Sequence, residues 1–289
     1  MMAGVGQVMG AAVMRRICGV TCTISGTRNI HKSPICAEQV MVDGLSLNYQ
    51  VAGDGTKVAL CLPGALGTIE SDFAPQLKNL PNLGIKVVCW DPPGYGKSRP
   101  PPRNYTMDFL RNDATVAANM MKNLGYNKYS LLGWSDGGIS AMMLAATFPQ
   151  HVEKMLVWGS NAYVAKEDVK IYNGIRDINK WSERMRAPLE AVYGKEYFKV
   201  AWEGWVDILS QILKERDGDL CREDLAKISC PTLIVHGAKD PMVPLYHPHY
   251  LRDNIKNSQL MVMENGKHNI HLRFAEEFNK IISEFLHKD

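Results

Sequence analysis

Three residues whose types suit acyl transfer follow separate apolar runs of the sequence. Ser135 lies in the Gly-x-Ser-x-Gly pattern of the stretch LLGWSDGGIS. A serine hydroxyl attacks a carbonyl only when a base takes its proton and a third group orients that base. Asp240, in PTLIVHGAKDPMVP, and His268, in LMVMENGKHNIHLR, have the side chains for these two roles. The sequence therefore predicts a catalytic triad of Ser135, Asp240 and His268.

Both partners of Ser135 have rivals close by in the sequence. His271 lies three residues after His268, but His268 is preferred because it lies nearer the end of the strand-like run. Glu264 is the alternative orienting acid, although it ends its own strand-like run. The remaining histidines are expected within a strand (His236), in the N-terminal segment (His31) or at the surface (His151, His247, His249 and His287).

Acyl transfer also requires two backbone N–H groups directed at the oxygen that becomes negative, the oxyanion hole. The backbone of Asp136, the residue after the candidate nucleophile, is expected to supply one of them. The loop GALGT after VALCLP is expected to supply the other from Ala65, with Leu66 as the alternative. Taken alone, this loop fits a simple glycine turn equally well. The motif around Ser135 and the two triad partners favour the oxyanion role.

The carboxylate of Asp136 stands directly beside the candidate nucleophile. At a separation of about 5 Å and an effective dielectric of about 20, it would oppose a developing oxyanion by roughly 3 kcal/mol. A cationic substrate group would reverse this balance, and the α-ammonium of an amino-acid ester lies two bonds from the scissile carbonyl. The alternative is that the side chain faces solvent or pairs with a lysine. The residues alone leave both interpretations open.

Apolar runs of strand length alternate with helical periodicity along the chain. A hairpin-like pair, EQVMV and LSLNYQVAG, precedes six buried runs: KVALCLP, IKVVCWD, YSLLGW, KMLVWGS, PTLIVHG and SQLMVMEN. Helical stripes cover about 107–124, 136–148 and 273–287. This alternation predicts an α/β fold, a mostly parallel eight-stranded sheet with helices on both faces. Catalytic groups collect beyond the carboxyl ends of such strands, where the three triad candidates fall.

Residues 161–226 interrupt this alternation. They show helical periodicity without a strand-like run, and they are too many for a simple connection. The sequence therefore predicts a helical lid at about 161–226, lying over the edge of the sheet. Trp181, Trp202 and Trp205 are candidates to line the site, but packing within the lid is the preferred interpretation for each of them.

The first 37 residues have the composition of a targeting peptide. They hold four arginines and lysines and no acidic residue, and the rest of the chain has 29 basic residues against 30 acidic ones. The remainder therefore has no general basic field for nucleic acid. The arginines follow the apolar stretch, which argues against a secretory signal peptide. A mitochondrial targeting peptide over 1–37 is therefore expected, with removal between Arg28 and Ala37. The alternative is an N-terminal tail that carries no targeting signal.

The cysteines and the apolar runs exclude several other classes of protein. The seven cysteines are irregularly spaced and form no Cys-x-x-Cys pair, which argues against a disulfide scaffold and a zinc site. No apolar run approaches the ~18 residues that a membrane helix needs. We therefore expect no metal and no membrane partner, and the charge balance argues against a nucleic-acid partner. A monomer is expected.

Five stretches together carry a resemblance to a known family. CLPGALG, WDPPGYGKSRPP, LLGWSDGG, IVHGAKDPMVP and GKHNIHLRF resemble the α/β-hydrolase superfamily and, within it, the biphenyl hydrolase-like family, also called valacyclovir hydrolases. The resemblance covers nearly all of the chain after the leader, which makes 38–289 one α/β-hydrolase domain with a helical lid. One departure is Pro63-Gly64, where His-Gly is commoner. This departure lies at the loop that is expected to supply the second oxyanion donor, and it does not affect the three triad residues.

This resemblance implies a function. It implies a serine esterase that cleaves α-amino acid esters, including amino-acid ester prodrugs of nucleoside analogues, through an acyl-enzyme. It also implies no cofactor, a small-molecule ester substrate with a cationic α-amino group, and a mitochondrial location. Ammonium recognition becomes the favoured role of Asp136. The alternatives are a carbon–carbon bond hydrolase of a ring-cleavage product, whose anionic substrate Asp136 would repel, and a non-catalytic ligand-binding protein.

Overall fold

The computed structural model describes residues 36–288 as an eight-stranded sheet covered by helices. The predicted targeting peptide lies outside the described residues, apart from Cys36 and Ala37, with which the first strand begins. Within the described part of the chain, no helix has both the length and the apolar character needed to cross a membrane.

The strands are ordered as a mostly parallel sheet. They are β1 Cys36–Val42, β2 Leu45–Ala52, β3 Lys57–Leu62, β4 Ile85–Trp90, β5 Tyr129–Trp134, β6 Val152–Trp158, β7 Thr232–Gly237 and β8 Ser258–Met263. Their order across the sheet is β1-β2-β4-β3-β5-β6-β7-β8. The pairs β1–β2 and β2–β4 are antiparallel, and every other pair is parallel. The predicted fold class is confirmed.

The α-helices connect and cover these strands. They are α1 Ile69–Asn79, α2 Phe109–Asn123, α3 Asp136–Thr147, α4 Lys166–Gly174, α5 Glu183–Tyr193, α6 Lys195–Arg216, α7 Arg222–Leu225, α8 Tyr246–Asn254, α9 Ile270–Arg273 and α10 Ala275–His287. The predicted stripes correspond to α2, α3 and α10 within two residues at each end. Helices α1 and α8 were not anticipated from the sequence.

The sheet separates two hydrophobic cores because successive strand side chains point to opposite faces. Leu60 packs in the core beneath α2 and α3, with Leu110 and Ile139. Its neighbour Cys61 faces the other core, beneath α1 and α10, with Phe278. Fully burying a side chain such as Leu60 contributes roughly 1.5–3 kcal/mol, so these two layers hold the central strands in place.

The helical lid contains α4 to α7 and, among the described residues, no strand beyond a single bridge between Tyr163 and Asp219. Its tryptophans pack on one another. The rings of Trp202 and Trp205 stack at 4.9 Å, and Trp181 meets Trp202 edge-on at the same distance. The lid thus has an aromatic core of its own, as the sequence predicts for Trp181 and Trp202, whereas Trp205 also bonds to Asp136 and so reaches the predicted site.

One sequence prediction about the histidines is wrong. His247 is not at the surface but buried where α8 meets the lid, with its Nε2 2.8 Å from the carboxylate of Asp168 on α4. The Tyr246 hydroxyl and the Ala165 N–H also donate to Asp168, at 2.6 and 2.7 Å. The sequence of α8, YHPHYLRDN, has the polar composition of a surface helix. Only the distant lid segment buries this histidine.

Candidate active site

Ser135 occupies a sharp turn between β5 and α3. Its backbone has φ of 54°, a left-handed conformation that costs a non-glycine residue about 1–3 kcal/mol. The chains around the turn are in close contact. A Cβ on Gly137 would lie 2.0 Å from the Leu62 carbonyl oxygen, and one on Gly133 would lie 2.7 Å from the Gly137 carbonyl oxygen. The two motif glycines therefore provide the clearance that the turn requires.

Gly137→Ala is expected to destabilise the fold by about 3 kcal/mol, because overpacking against rigid backbone has few ways to relax. Urea unfolding monitored by circular dichroism measures this change. Gly174→Ala is the matched control, since a Cβ on Gly174 meets nothing within 4 Å. Equal free energies of unfolding for the two variants would contradict the packing argument.

The structure brings the three triad candidates together. The Ser135 Oγ lies 3.2 Å from the His268 Nε2, and the His268 Nδ1 lies 2.8 Å from the Asp240 Oδ2. The other oxygen of Asp240 accepts the N–H groups of Met242 and Val243, at 2.8 and 3.1 Å. This geometry places a hydrogen-bonded base beside the hydroxyl and an orienting acid behind the base.

Asp240 keeps its negative charge at neutral pH. Burial raises the pKa of this carboxyl, but the hydrogen bond to His268 and the His268 charge outweigh it, so the pKa lies below its usual range. An ionised Asp240 accepts from the Nδ1–H of His268. The His268 Nε2 is then the atom that accepts from Ser135.

The rival residues lie elsewhere. The His271 Nδ1 accepts the indole N–H of Trp158 at 2.9 Å, and burial lowers the pKa of His271 to about 3. His271 is thus a neutral core residue on the far side of Trp134. Glu264 is exposed beyond β8. His236 lies in β7, as expected, and hydrogen-bonds the Val243 carbonyl at 2.9 Å.

Two residues that were not predicted from the sequence contact His268 and hold it in place. Trp134 donates its indole N–H to the His268 carbonyl at 2.9 Å, and its ring lies 5.3 Å from the imidazole. On another side, a Cβ on Gly159 would lie 3.0 Å from the His268 Nδ1. Trp134 is the variable position of the motif just before the serine. The motif allows any residue at this position, so the sequence does not predict the contact with His268.

The candidate oxyanion loop is fixed by hydrogen bonds on several sides. The Gly64 N–H donates to the Asp72 carboxylate at 3.0 Å, and the Gly67 N–H donates to the Gly64 carbonyl at 3.0 Å. The hydroxyl of Tyr193, from the lid, donates to the Leu66 carbonyl at 2.8 Å. Burial raises the pKa of Asp72 to about 7. Neither Asp72 nor Tyr193 was singled out from the sequence.

The candidate oxyanion donors near Ser135 have no acceptor among the described residues. They are the N–H groups of Ala65, Leu66 and Asp136. Leu66 adopts the left-handed conformation with φ of 56°. The choice between Ala65 and Leu66 as the second oxyanion donor stays a prediction.

The Asp136 side chain is buried and contacts the lid. Its Oδ2 accepts the indole N–H of Trp205 at 2.7 Å, and only 6% of the residue is exposed. The interpretation that it faces solvent or pairs with a lysine is therefore wrong. Burial raises the pKa of Asp136 to about 6, although the Trp205 hydrogen bond and the Arg103 charge act to lower it. Asp136 is mostly ionised at neutral pH.

Arg103 lies near Asp136 but is already neutralised. Its two Nη atoms donate to the two oxygens of Asp113, at 2.8 and 2.5 Å, and both side chains are buried. Its guanidinium also stacks on Tyr95, 4.5 Å from the ring centroid. Asp136 therefore keeps one carboxylate oxygen, Oδ1, without a hydrogen-bond partner among the described residues. This oxygen is available to a ligand.

Ser135, Asp136 and His268 line one cleft beneath the lid. About 300 Å³ of space outside the protein atoms lies along it, a figure that includes open solvent. Apolar side chains form much of its wall: Ile139, Leu209, Leu220, Met242 and Val243. Polar and aromatic groups from the lid side are Asn161, Tyr172 and Trp205. A nucleophile, a base and a carboxylate thus share one mostly apolar cleft.

Known proteins resemble this chain in sequence and in fold. The sequence model of the Alpha/beta hydrolase family matches residues 59–281. Human serine hydrolase BPHL is 52% identical over 252 residues, which are 87% of this chain and 87% of the human one. The 2-hydroxy-6-oxononadienedioate/2-hydroxy-6-oxononatrienedioate hydrolase 2 of Pseudomonas putida is 28% identical, covering 84% of this chain and 92% of its own.

A solved structure supports the fold alone, because its sequence identity is low. The 2-hydroxy-6-oxo-6-phenylhexa-2,4-dienoate hydrolase of Rhodococcus sp. strain RHA1 superposes with a TM-score of 0.73 at 18% identity. The match covers 87% of this chain and 98% of that one. The family match and the human relative confirm the resemblance seen in the motifs. The chain belongs to the α/β hydrolase family and, within it, to the serine hydrolases of the biphenyl hydrolase-like group represented by human BPHL.

Proposed function

We propose that this serine hydrolase cleaves esters of α-amino acids through an acyl-enzyme on Ser135. The observation that carries the proposal is the buried carboxylate of Asp136, directly after the nucleophile, whose Oδ1 has no partner among the residues that the structure describes. A buried carboxylate without a cation is costly. An α-ammonium bound there would offset this cost and bring the adjacent ester carbonyl to Ser135.

The first step forms the acyl-enzyme. His268 Nε2 takes the hydroxyl proton of Ser135 while the Oγ bonds to the ester carbonyl carbon. The carbonyl oxygen becomes negative and accepts the N–H of Asp136 and that of Ala65, or of Leu66, at the positive end of the α3 dipole. Asp240 stabilises the imidazolium of His268. The C–O bond then breaks, and the alcohol leaves with the proton from His268.

The second step releases the amino acid. Water gives a proton to His268 Nε2 and attacks the acyl carbon, forming the same oxyanion. Collapse of this intermediate returns the proton to the Ser135 Oγ and frees the carboxylic acid. The lid over the cleft excludes bulk water, so that the oxyanion hydrogen bonds act in a low dielectric.

The proposal extends to amino-acid ester prodrugs of nucleoside analogues, in which the alcohol is the hydroxyl of the analogue. It disfavours carbon–carbon bond hydrolysis. The substrate named for the Pseudomonas putida relative is a dicarboxylate. A carboxylate of such a substrate would meet the charge of Asp136 in a buried cleft. At about 5 Å, this repulsion costs roughly 3 kcal/mol at an effective dielectric of about 20.

The preference for a free amine is expected to depend on pH. The readout is the ratio of kcat/KM for an α-amino acid ester to that for its N-acetyl twin. The triad acts on both esters in the same way, so its contribution cancels in the ratio. Below about pH 6, Asp136 becomes protonated and the ratio should fall. Above about pH 8 the ratio should fall again, because the ammonium deprotonates.

This ratio also tests the function itself. A bell-shaped profile with its maximum between the two pKa values supports a carboxylate–ammonium contact. Ser135→Ala serves as the blank for hydrolysis without the enzyme. A ratio near one at every pH would contradict the proposed substrate class while leaving a serine esterase.

A further inference from the structure

Three oxygen atoms in the cleft have no hydrogen-bond partner among the described residues. The first is the Asp136 Oδ1, whose neighbour Oδ2 is held by Trp205. The second is the Asn161 Oδ1, because Asn161 uses its amide nitrogen to donate to the Tyr163 carbonyl at 2.6 Å. The third is the Tyr172 hydroxyl oxygen. None of the three is among the fully enclosed side-chain atoms that lack a partner in the described part of the chain, so each can be reached by a ligand.

These atoms come from separate elements that converge beside Ser135. Asp136 begins α3, Asn161 follows β6, and Tyr172 lies on α4 of the lid. All three residues are more than nine-tenths buried, with 6%, 5% and 3% of their surfaces exposed, and all line the cleft. They are therefore held in place by packing rather than free to turn to solvent.

Aromatic faces complete the surroundings. The rings of Tyr172 and Trp205 meet at 58° with their centroids 4.9 Å apart, forming a corner beside the carboxylate. The negative faces of such rings attract a cation. Burial raises the pKa of Tyr172, and the charges of Asp168, Asp136 and Asp240 raise it further, so the hydroxyl stays protonated in a strongly negative field. This field favours a cation.

We infer that Asn161 and Tyr172 complete an ammonium site with Asp136, in which each of the three N–H donors of an unsubstituted α-ammonium meets one acceptor. The inference rests on the proposed function, because the cation is that of the substrate ester. It adds a specificity that the carboxylate alone does not provide. The single free oxygen of Asp136 can be satisfied by one N–H and so tolerates N-methylation, whereas three fixed acceptors select the primary amine.

The test compares wild type with Tyr172→Phe, which removes the hydroxyl and keeps the ring. The substrates are an alanine ester, its N-methyl, N,N-dimethyl and N,N,N-trimethyl forms, and the propionate ester that lacks the amine, all with one alcohol. In wild type, kcat/KM is expected to fall about tenfold for each methyl group. Tyr126→Phe, in the loop that precedes β5 and so at the end of the strand away from Ser135, is the matched control and should behave as wild type.

Tyr172→Phe is expected to lose about tenfold on the unmethylated ester and less than about twofold on the propionate ester. In this variant the first methyl group should cost less than about twofold, because its acceptor is already gone. The second should still cost about tenfold, because Asp136 and Asn161 are unchanged.

The outcomes distinguish a failure of the ammonium site from a failure of the proposed function. If wild type prefers the free amine but Tyr172→Phe matches it on all five esters, the ammonium site is wrong and the proposed function stands. An equal loss on the alanine and propionate esters would also overturn the site. If wild type shows no preference for the alanine ester over the propionate ester, the proposed substrate class fails first.

Discussion

Ser135→Ala is expected to lower kcat for ester hydrolysis by a factor of about 10⁴–10⁶, with little change in KM. The Ser135 Oγ is the hydroxyl 3.2 Å from the His268 Nε2, and Asp240 holds the other imidazole nitrogen at 2.8 Å. Without this oxygen no acyl-enzyme forms. The oxyanion donors and the cleft persist, so a residual rate above that in water is expected.

The control separates lost chemistry from lost folding. Ser210→Ala removes a hydroxyl that donates within α6 to the Val206 carbonyl, and it should retain wild-type activity. A serine-directed phosphonate should label wild type and Ser210→Ala but not Ser135→Ala. Retention of more than about a tenth of the activity in Ser135→Ala, with normal thermal unfolding, would refute the assigned nucleophile.

Asp136→Asn is expected to lower kcat/KM for free α-amino acid esters by about 10–150-fold, the effect of losing a hydrogen bond to a charged group. The substitution keeps the backbone N–H, and its amide oxygen can still accept from Trp205. N-acetyl esters should be hydrolysed no more slowly than by wild type, because removal of the carboxylate also removes its repulsion of the oxyanion. The measurement is kcat/KM for both esters.

A matched variant controls for the change in net charge. Asp207→Asn removes the same charge from the exposed side of α6, where Asp207 pairs with Arg176. It should leave both esters unaffected. If Asp136→Asn slows both esters equally, Asp136 acts on the oxyanion geometry rather than on the ammonium.

The sheet could be predicted from the sequence because its strands are buried on both faces. The runs that became β3 to β7 are almost continuously apolar, and a buried parallel strand imposes this pattern. The three triad candidates follow from the same pattern, since each comes just after a strand, where the catalytic groups of such sheets collect. Their meeting is thus a consequence of strand order.

The contacts of the lid could not be predicted in the same way. The bond from Trp205 to Asp136 spans 69 positions, and the helical pattern of α6 shows only which side of the helix is apolar. The burial of His247 against Asp168 likewise spans 79 positions. Such contacts depend on how helices pack on the sheet. The spacing and composition of one segment do not show which distant segment it will contact.

This difference has a functional meaning. The residues that carry the chemistry lie just beyond the ends of strands, where the sequence pattern is strong. The residues that shape recognition, Tyr172, Tyr193 and Trp205, come from the lid. Tyr193 contacts the candidate oxyanion loop, and Trp205 contacts the carboxylate beside the nucleophile. The lid is therefore the part of the chain in which substitutions should change specificity without removing hydrolysis.

The central claim is that the Asp136 carboxylate recognises the α-ammonium of the substrate. The most direct measurement is kcat/KM of the wild-type enzyme at pH 7 for an α-amino acid ester and for the α-hydroxy ester of the same skeleton and alcohol. The two substrates differ little in size, so the comparison isolates charge. We expect kcat/KM to be about a hundredfold higher for the amino ester than for the hydroxy ester. Equal values for the two esters would contradict it.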